Sequence, residues 1–211
     1  WRPGFGRPFY PELNVDKKVL RNLRMHLEAL DDGAGKDVDL LLDLNFNAKT
    51  EGYLKILRAI AHFDMFWIEI DTYSAEALGY IRRKSPHPIS SCETLFGIRE
   101  FLPYFREQAM DVAIIDTVWN GVWQSMKIAA LAEAHEVNIA PHNYYGHLCT
   151  MMSAHVAAAV PNLRVMETDI DRVPWEHELF THVPAIADGH LVLSDRPGWG
   201  TEPIEAALRA H

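Results

Sequence analysis

VNIAPH, residues 137–142, is an apolar run that stops on an ionisable side chain and passes at once into a turn, NYYG (143–146). Five other short runs share that design: VDLLLD (38–43), MFWIEI (65–70), PISSCE (88–93), DVAIID (111–116) and LRVME (163–167). Between them lie stretches of helical periodicity around 50–62, 74–84, 96–108, 121–136 and 148–160, and a further helix at 15–35 precedes the first run. In that helix Val15, Val19, Leu20, Leu23, Leu27 and Leu30 fall near one face, with Gly33 and Gly35 as the stop. Six strand-helix units with connections this short read as parallel βα repeats. Runs such as LLL (40–42) and VAII (112–115) are apolar on both faces, the pattern of strands covered by helices.

The polar residues closing the runs are Asp43, Glu69, Glu93, Asp116, His142 and Glu167. Their spacings are 26, 24, 23, 26 and 25 residues (43 to 69, 69 to 93, 93 to 116, 116 to 142, 142 to 167). In a (β/α)8 barrel the C-terminal strand ends open on one mouth, so six ionisable groups would converge there. A doubly wound sheet also alternates strand and helix, but it carries a glycine-rich phosphate turn after a strand. No such turn follows a strand here, and PGFG (3–6) precedes a helix without a strand before it. The expected fold class is therefore α/β, a TIM (β/α)8-type barrel. A complete barrel takes about 250 residues, whereas this chain has 211 and shows six strands. The expectation is a partial barrel: residues 1–14 as the loop entering it, 15–182 as its βα repeats, and 183–211 as a C-terminal segment with DG and PG turns. Open sheet edges are expected at 38–43 and 163–167.

At 48% hydrophobic over 211 residues, the chain can bury a substantial core, and one domain is the expectation. Lys and Arg number 20 against 29 Asp and Glu, a net charge of −9 without a basic run, which argues against nucleic acid or an anionic membrane as partner. No apolar run reaches the roughly 20 residues of a membrane helix. Cys92 and Cys149 do not form a spaced framework, which fits a reducing cytoplasm.

Three carboxylates on successive strand ends, Asp43, Glu69 and Glu93, would repel one another unless a cation sat between them. A hard divalent ion with oxygen ligands suits them, and Mg²⁺ suits them best because it accepts a few carboxylates and keeps positions for water and substrate. The plainer reading of each acid alone is a solvated or helix-capping group. Asp116 and His142 close the next two runs; a carboxylate beside an imidazole fixes its tautomer and raises its proton affinity, the making of a general base. Glu167 closes the series as a group that would hydrogen-bond the substrate. Asn45, Asn120, Tyr144 and His147 are candidates for contact with substrate, with turn formation or packing as the alternative for each; Trp119, Trp123 and Tyr145 share that ambiguity.

This ordered set, carried by LLLDLNFN, FWIEID, SSCETL, AIIDTVWNG, IAPHNYYGHL and RVMETD, resembles the enolase superfamily, specifically its mandelate racemase subgroup. The resemblance covers roughly residues 12–205 and implies strands three to eight of the barrel, without the N-terminal capping domain and first two strands. It implies Mg²⁺ on Asp43, Glu69 and Glu93, His142 as base paired with Asp116, and Glu167 on the substrate carboxylate. The reaction implied is abstraction of the proton α to a carboxylate, with the metal stabilising the enediolate. Loss of a β-hydroxyl would make a sugar-acid dehydratase yielding a 2-keto-3-deoxy acid; reprotonation from the other face would make a racemase or epimerase of a 2-hydroxy acid. The second-strand lysine of the family has no counterpart here, and Asp43 lacks the histidine two residues on that galactonate and mannonate dehydratases would show. An inactive fragment or a non-catalytic metal-binding barrel stands as the third reading. The expected partner is a small-molecule sugar acid, and a homo-oligomer is expected for the full-length form.

Overall fold

In the computed structural model, which describes residues 14–170 and 173–211, strand and helix alternate through most of the chain. The expected entering loop at 1–14 lies outside the described residues except for Asn14. The elements are α1 (Lys17–Ala34), β1 (Leu40–Asp43), α2 (Thr50–Ala59), β2 (Met65–Glu69), α3 (Ala75–Lys84), β3 (Ile89–Ser91), α4 (Gly97–Arg106), β4 (Val112–Asp116), α5 (Thr117–Ala134), β5 (Asn138–His142) and α6 (His147–Ala158). A 3-10 turn (Glu176–Leu179), a hairpin of β6 (Ala185–Ala187) and β7 (His190–Val192), and α7 (Glu205–Ala210) complete the chain. The five strands β1 to β5 form one sheet in chain order, the expected α/β pattern.

The described residues divide into two compact units: residues up to Cys92 with Leu102–Val112, and Glu93–Phe101 with Ala113–His211. In the first unit, Asp16 caps α1 by accepting the amides of Lys18 and Val19, and Gly35 at φ 79° ends it in a conformation that favours glycine. Ser74 likewise caps α3 through the amide of Ala77. Strands β1 and β2 run parallel, with Asp43 opposite Glu69, and β2 runs parallel to β3. Tyr53, Ile56, Leu57, Ile68, Leu78, Ile81 and Ile89 are buried to within 1%. At about 25 cal/mol per Å² of apolar surface, burying side chains of this size supplies most of the stabilisation of such a unit.

Asp111 fastens the β3 side of this unit. Its Oδ1 accepts Arg82 Nε at 3.0 Å and Nη2 at 2.6 Å, its Oδ2 accepts the Ile89 amide at 2.8 Å, and its own amide donates to the Ile89 carbonyl at 2.8 Å. Asp111→Ala leaves Arg82 with the Gln108 carbonyl alone, at 2.9 Å from Nη1, and leaves the Ile89 amide without its acceptor. It is expected to destabilise the full-length protein by roughly 2 kcal/mol, read as a shift in the urea midpoint at unchanged slope; a midpoint identical to the parent's would deny Asp111 this role.

In the second unit α5 packs on α6, and both pack on β5. The buried alanines Ala129 and Ala132 on α5 and Ala154 and Ala157 on α6 suit a close approach of the two helices. Asp116 caps α5 through the amide of Trp119, and Gly121 at φ 66° separates the first turn, Thr117–Asn120, from the rest of the helix.

Four expectations change. LRVME is not a strand: one bridge, Ile139 to Leu163, holds it, through Ile139 N–H to the Asn162 carbonyl and Arg164 N–H to the Ile139 carbonyl, both 2.8 Å. A parallel strand survives on a continuous ladder, and here Leu163, Val165 and Glu167 are exposed. Next, LLL is not covered on both faces, since Leu41 is 47% exposed, whereas VAII is buried throughout as expected. Leu30 is 50% exposed, because only Leu23 and Leu27 of α1 reach the core. Finally, α5 starts at Thr117 rather than 121, since the strand-end carboxylate supplies its cap directly. Cys92 and Cys149 are free and buried, and no helix among the described residues is long and apolar enough to cross a membrane.

Candidate active site

In the first unit the strand ends present a row of acids. Asp43 accepts the Asn45 amide at 2.7 Å, and Asn45 stands at φ 47° with its own side-chain oxygen accepting the Phe46 amide. Asn45 thus shapes the turn into α2, the alternative reading of that residue. Glu69 and Asp71 offer carboxylate oxygens within 4.8 Å of each other. Asp71 is buried, and its Oδ1 accepts the Ser91 hydroxyl at 2.9 Å and the Cys92 amide at 3.0 Å. Asp71 is not among the candidates that strand ends alone single out. The signal for it was alternation: two residues beyond Glu69 in extended chain, it falls on the same side.

The second unit brings Glu93, Asp116 and His142 together. His142 Nδ1 lies 2.8 Å from Asp116 Oδ2, and its Nε2 lies 3.4 Å from Glu93 Oε2. The aspartate as acceptor assigns the proton to Nδ1 and leaves the Nε2 lone pair as the basic position of the neutral ring. Asp116 is fully buried. Its Oδ1 accepts the Trp119 amide at 2.8 Å, and its Oδ2 accepts the Tyr145 hydroxyl at 2.9 Å as well as the imidazole. Burial alone would push this carboxyl up, but the hydrogen bonds from His142, Trp119 and Tyr145 hold it below the ordinary aspartate value. Burial alone would lower the imidazole, yet the Asp116 hydrogen bond and the charges of Glu93, Glu167 and Asp116 raise it above the ordinary histidine value.

Glu167, on the Leu163–Glu167 segment, is tied to the residue after the histidine. Its Oε2 accepts the Asn143 amide at 2.7 Å, and its carbonyl accepts Asn143 Nδ2 at 2.9 Å. Asn143 is fully buried and also donates to Thr150 Oγ1 at 3.0 Å, so one side chain joins the end of β5, the Glu167 segment and α6. Its one signal in the sequence is its place directly after a strand-end histidine.

Asn120 spends its amide on backbone. Its Nδ2 donates to the carbonyls of Leu95 and Asp116, both at 3.1 Å, and its Oδ1 accepts the Gly97 amide at 2.7 Å. That makes it a brace between loops rather than a group turned to substrate. Tyr144 is 65% exposed. His147 opens α6, its amide donating to Glu176 Oε1 at 3.0 Å, and its ring meets Phe180 edge to face. Glu176 therefore supplies the cap that Gly146 cannot, and a Cβ at Gly146 would lie 2.9 Å from the same oxygen. Its distance in sequence from α6 hid that role.

A histidine and aspartate paired at the C-terminal ends of β5 and β4 are placed as the working groups of a (β/α)8-type enzyme are. Residues 12–207 match the family model described as enolase C-terminal domain-like, and the chain belongs to that family. Among curated proteins it is 31% identical over 197 residues to a D-galactonate dehydratase family member of Streptomyces bingchenggensis, a match covering 91% of this chain and 47% of that protein. It is 27% identical over 209 residues to the D-gluconate dehydratase of Thermoproteus tenax, covering 97% of this chain and 42% of that protein. A solved structure from Burkholderia xenovorans strain LB400, provisionally named an L-alanine-DL-glutamate epimerase and bound to magnesium and fumarate, is 72% identical, with a TM-score of 0.95 over 100% of this chain and 53% of that one. The chain spans about half the length of these relatives. Its five-stranded sheet is part of a TIM-type barrel, as the expected fold class had it.

Proposed function

We propose that the full-length protein removes the proton α to the carboxylate of a small-molecule acid, with His142 as the base. The observation that carries this reading is the 2.8 Å bond from the His142 ring to a buried Asp116, which leaves Nε2 as the proton acceptor. Asp116 fixes the tautomer and offsets the charge that the imidazole gains on protonation. Glu167, held by Asn143, is the proposed group on the substrate carboxylate side, and Glu93 faces the imidazole from across the site.

The proposed Mg²⁺ ligands are Asp43, Glu69 and Glu93. The chemistry of the donor set fits a hard divalent cation: the oxygens are all carboxylate, and Glu69 stands close beside the buried Asp71, a concentration of negative charge that a cation relieves. When bound, Mg²⁺ supplies positive charge beside the substrate carboxylate and so makes the α C–H more acidic. The magnesium in the Burkholderia relative supports this assignment. The two buried thiols suit the cytoplasm as the setting.

Dehydration of a sugar acid to a 2-keto-3-deoxy acid is the leading outcome, supported by the named dehydratases among the relatives. His142, once protonated, can return its proton to the departing β-hydroxyl. Epimerisation is the second reading, favoured by the name of the 72% identical relative. Incubating the full-length enzyme with Mg²⁺ and a panel of acid sugars and other 2-substituted carboxylates in D₂O separates them. A 2-keto product marks the dehydratase, and deuterium at the α carbon without elimination marks the epimerase. Chelation with EDTA is expected to abolish either signal, and full activity in EDTA would refute the metal assignment. Neither product nor exchange across the panel, in protein that binds Mg²⁺, would favour the non-catalytic barrel.

A further inference from the structure

We propose that Tyr145 is a positioning residue for the acid-base pair: its hydroxyl holds the Asp116 carboxylate at Oδ2, the same oxygen that receives the His142 ring. This rests on the reading of His142 as the base. Two independent contacts place Tyr145 in the role, the 2.9 Å bond to Asp116 and an edge-to-face packing on the His142 ring with centroids 5.4 Å apart at 89°. A buried carboxylate that bonds an imidazole with one oxygen can still rotate about its own side chain. A second donor on that oxygen, with the Trp119 amide on the other, removes that freedom.

The carboxylate is held from its other side as well. The backbone amide of Trp119 donates to Asp116 Oδ1 at 2.8 Å. The Trp119 ring stacks on Phe96 with centroids 5.1 Å apart and planes 14° apart, although both rings are half exposed. Asn120 pins the loop that carries Phe96, through Leu95 and Gly97. Phe96, Trp119, Tyr145, Asp116 and His142 thus form one continuous strut within the second unit. Exposed stacked aromatics that packing alone does not require gain a purpose as its outer end.

The test uses the full-length enzyme with Mg²⁺ and measures α-proton exchange in D₂O. Tyr145→Phe, which deletes one oxygen, is expected to lower kcat roughly tenfold to a hundredfold with KM within about twofold, the loss typical of a hydrogen bond to a charged group. Trp119→Phe, which leaves the backbone amide on Asp116 but weakens the ring stack on Phe96, is expected to lower kcat by about threefold to tenfold. The double variant is expected to be no slower than Tyr145→Phe alone, since both act through one strut. If Tyr145→Phe does not fold, the Trp119→Phe result decides. Unchanged kcat in the folded variants, a loss confined to KM, or fully additive losses would overturn the proposal. His142→Asn run alongside keeps the two ideas apart: exchange that persists in it defeats the base assignment itself, whereas exchange lost in it but intact in Tyr145→Phe and Trp119→Phe defeats only the strut.

Discussion

His142→Asn in the full-length, Mg²⁺-loaded protein is expected to slow α-proton exchange by about 10²–10⁴-fold, the usual contribution of a positioned general base. Asparagine matches much of the shape of the imidazole and can still donate to Asp116, so the fold should remain. What disappears is the Nε2 lone pair on a ring whose proton affinity its carboxylate neighbours raise. Few groups nearby can substitute: Glu93, 3.4 Å from Nε2, is a proposed metal ligand, and a carboxylate shared with a cation is a poor base. The measurement is exchange by NMR in D₂O, with thermal unfolding as the control for folding. A loss under about threefold in a folded variant would leave His142 without its assigned role.

Asp116→Asn is expected to produce a loss of about 10³-fold in the same assay, with little change in stability. The comparison that motivates the size is the serine-protease triad, where replacing the aspartate by its amide leaves the geometry but gives the wrong tautomer, at a cost of about 10⁴. Asp116 has two tasks here, capping α5 and accepting the His142 Nδ1 proton. Asparagine performs the first nearly as well. It performs the second badly, because three donors (the Trp119 amide, His142 and Tyr145) then compete for one oxygen while the new NH₂ faces a ring nitrogen. Asp116→Ala loses both tasks and should also lose roughly 1–3 kcal/mol of stability from the missing cap and unsatisfied donors. An Asp116→Asn enzyme with parental kcat would show that the pair is structural only.

Much of the arrangement of Glu93, Asp116 and His142 in the second unit was legible in the chain because each follows a short apolar run at a regular interval, and side-chain alternation then sets the facing. The limits have equally specific causes. LRVME reads as a strand by composition, but strandhood needs a ladder, and among the described residues it makes a single bridge, to Ile139. Asn120 reads as a polar group near a site, but whether an amide meets substrate or backbone depends on which loop lies beside it, here Leu95–Gly97. Glu176 reads as an unremarkable acid, since nothing local says that it will cap a helix 29 residues earlier.

The sequence by itself determined the alternation of strand and helix and the succession of ionisable groups at strand ends. These follow from local propensity, hydrophobic period and chain order, which no packing partner needs to supply. Only the tertiary structure decided that Asp116 turns one oxygen to the helix and the other to both His142 and Tyr145, that Asp71 is buried beside Glu69, and that Asn143 joins three segments. Those are contacts between residues 20 or more positions apart or choices among rotamers, and they are settled by which buried donors must find acceptors once the core has closed.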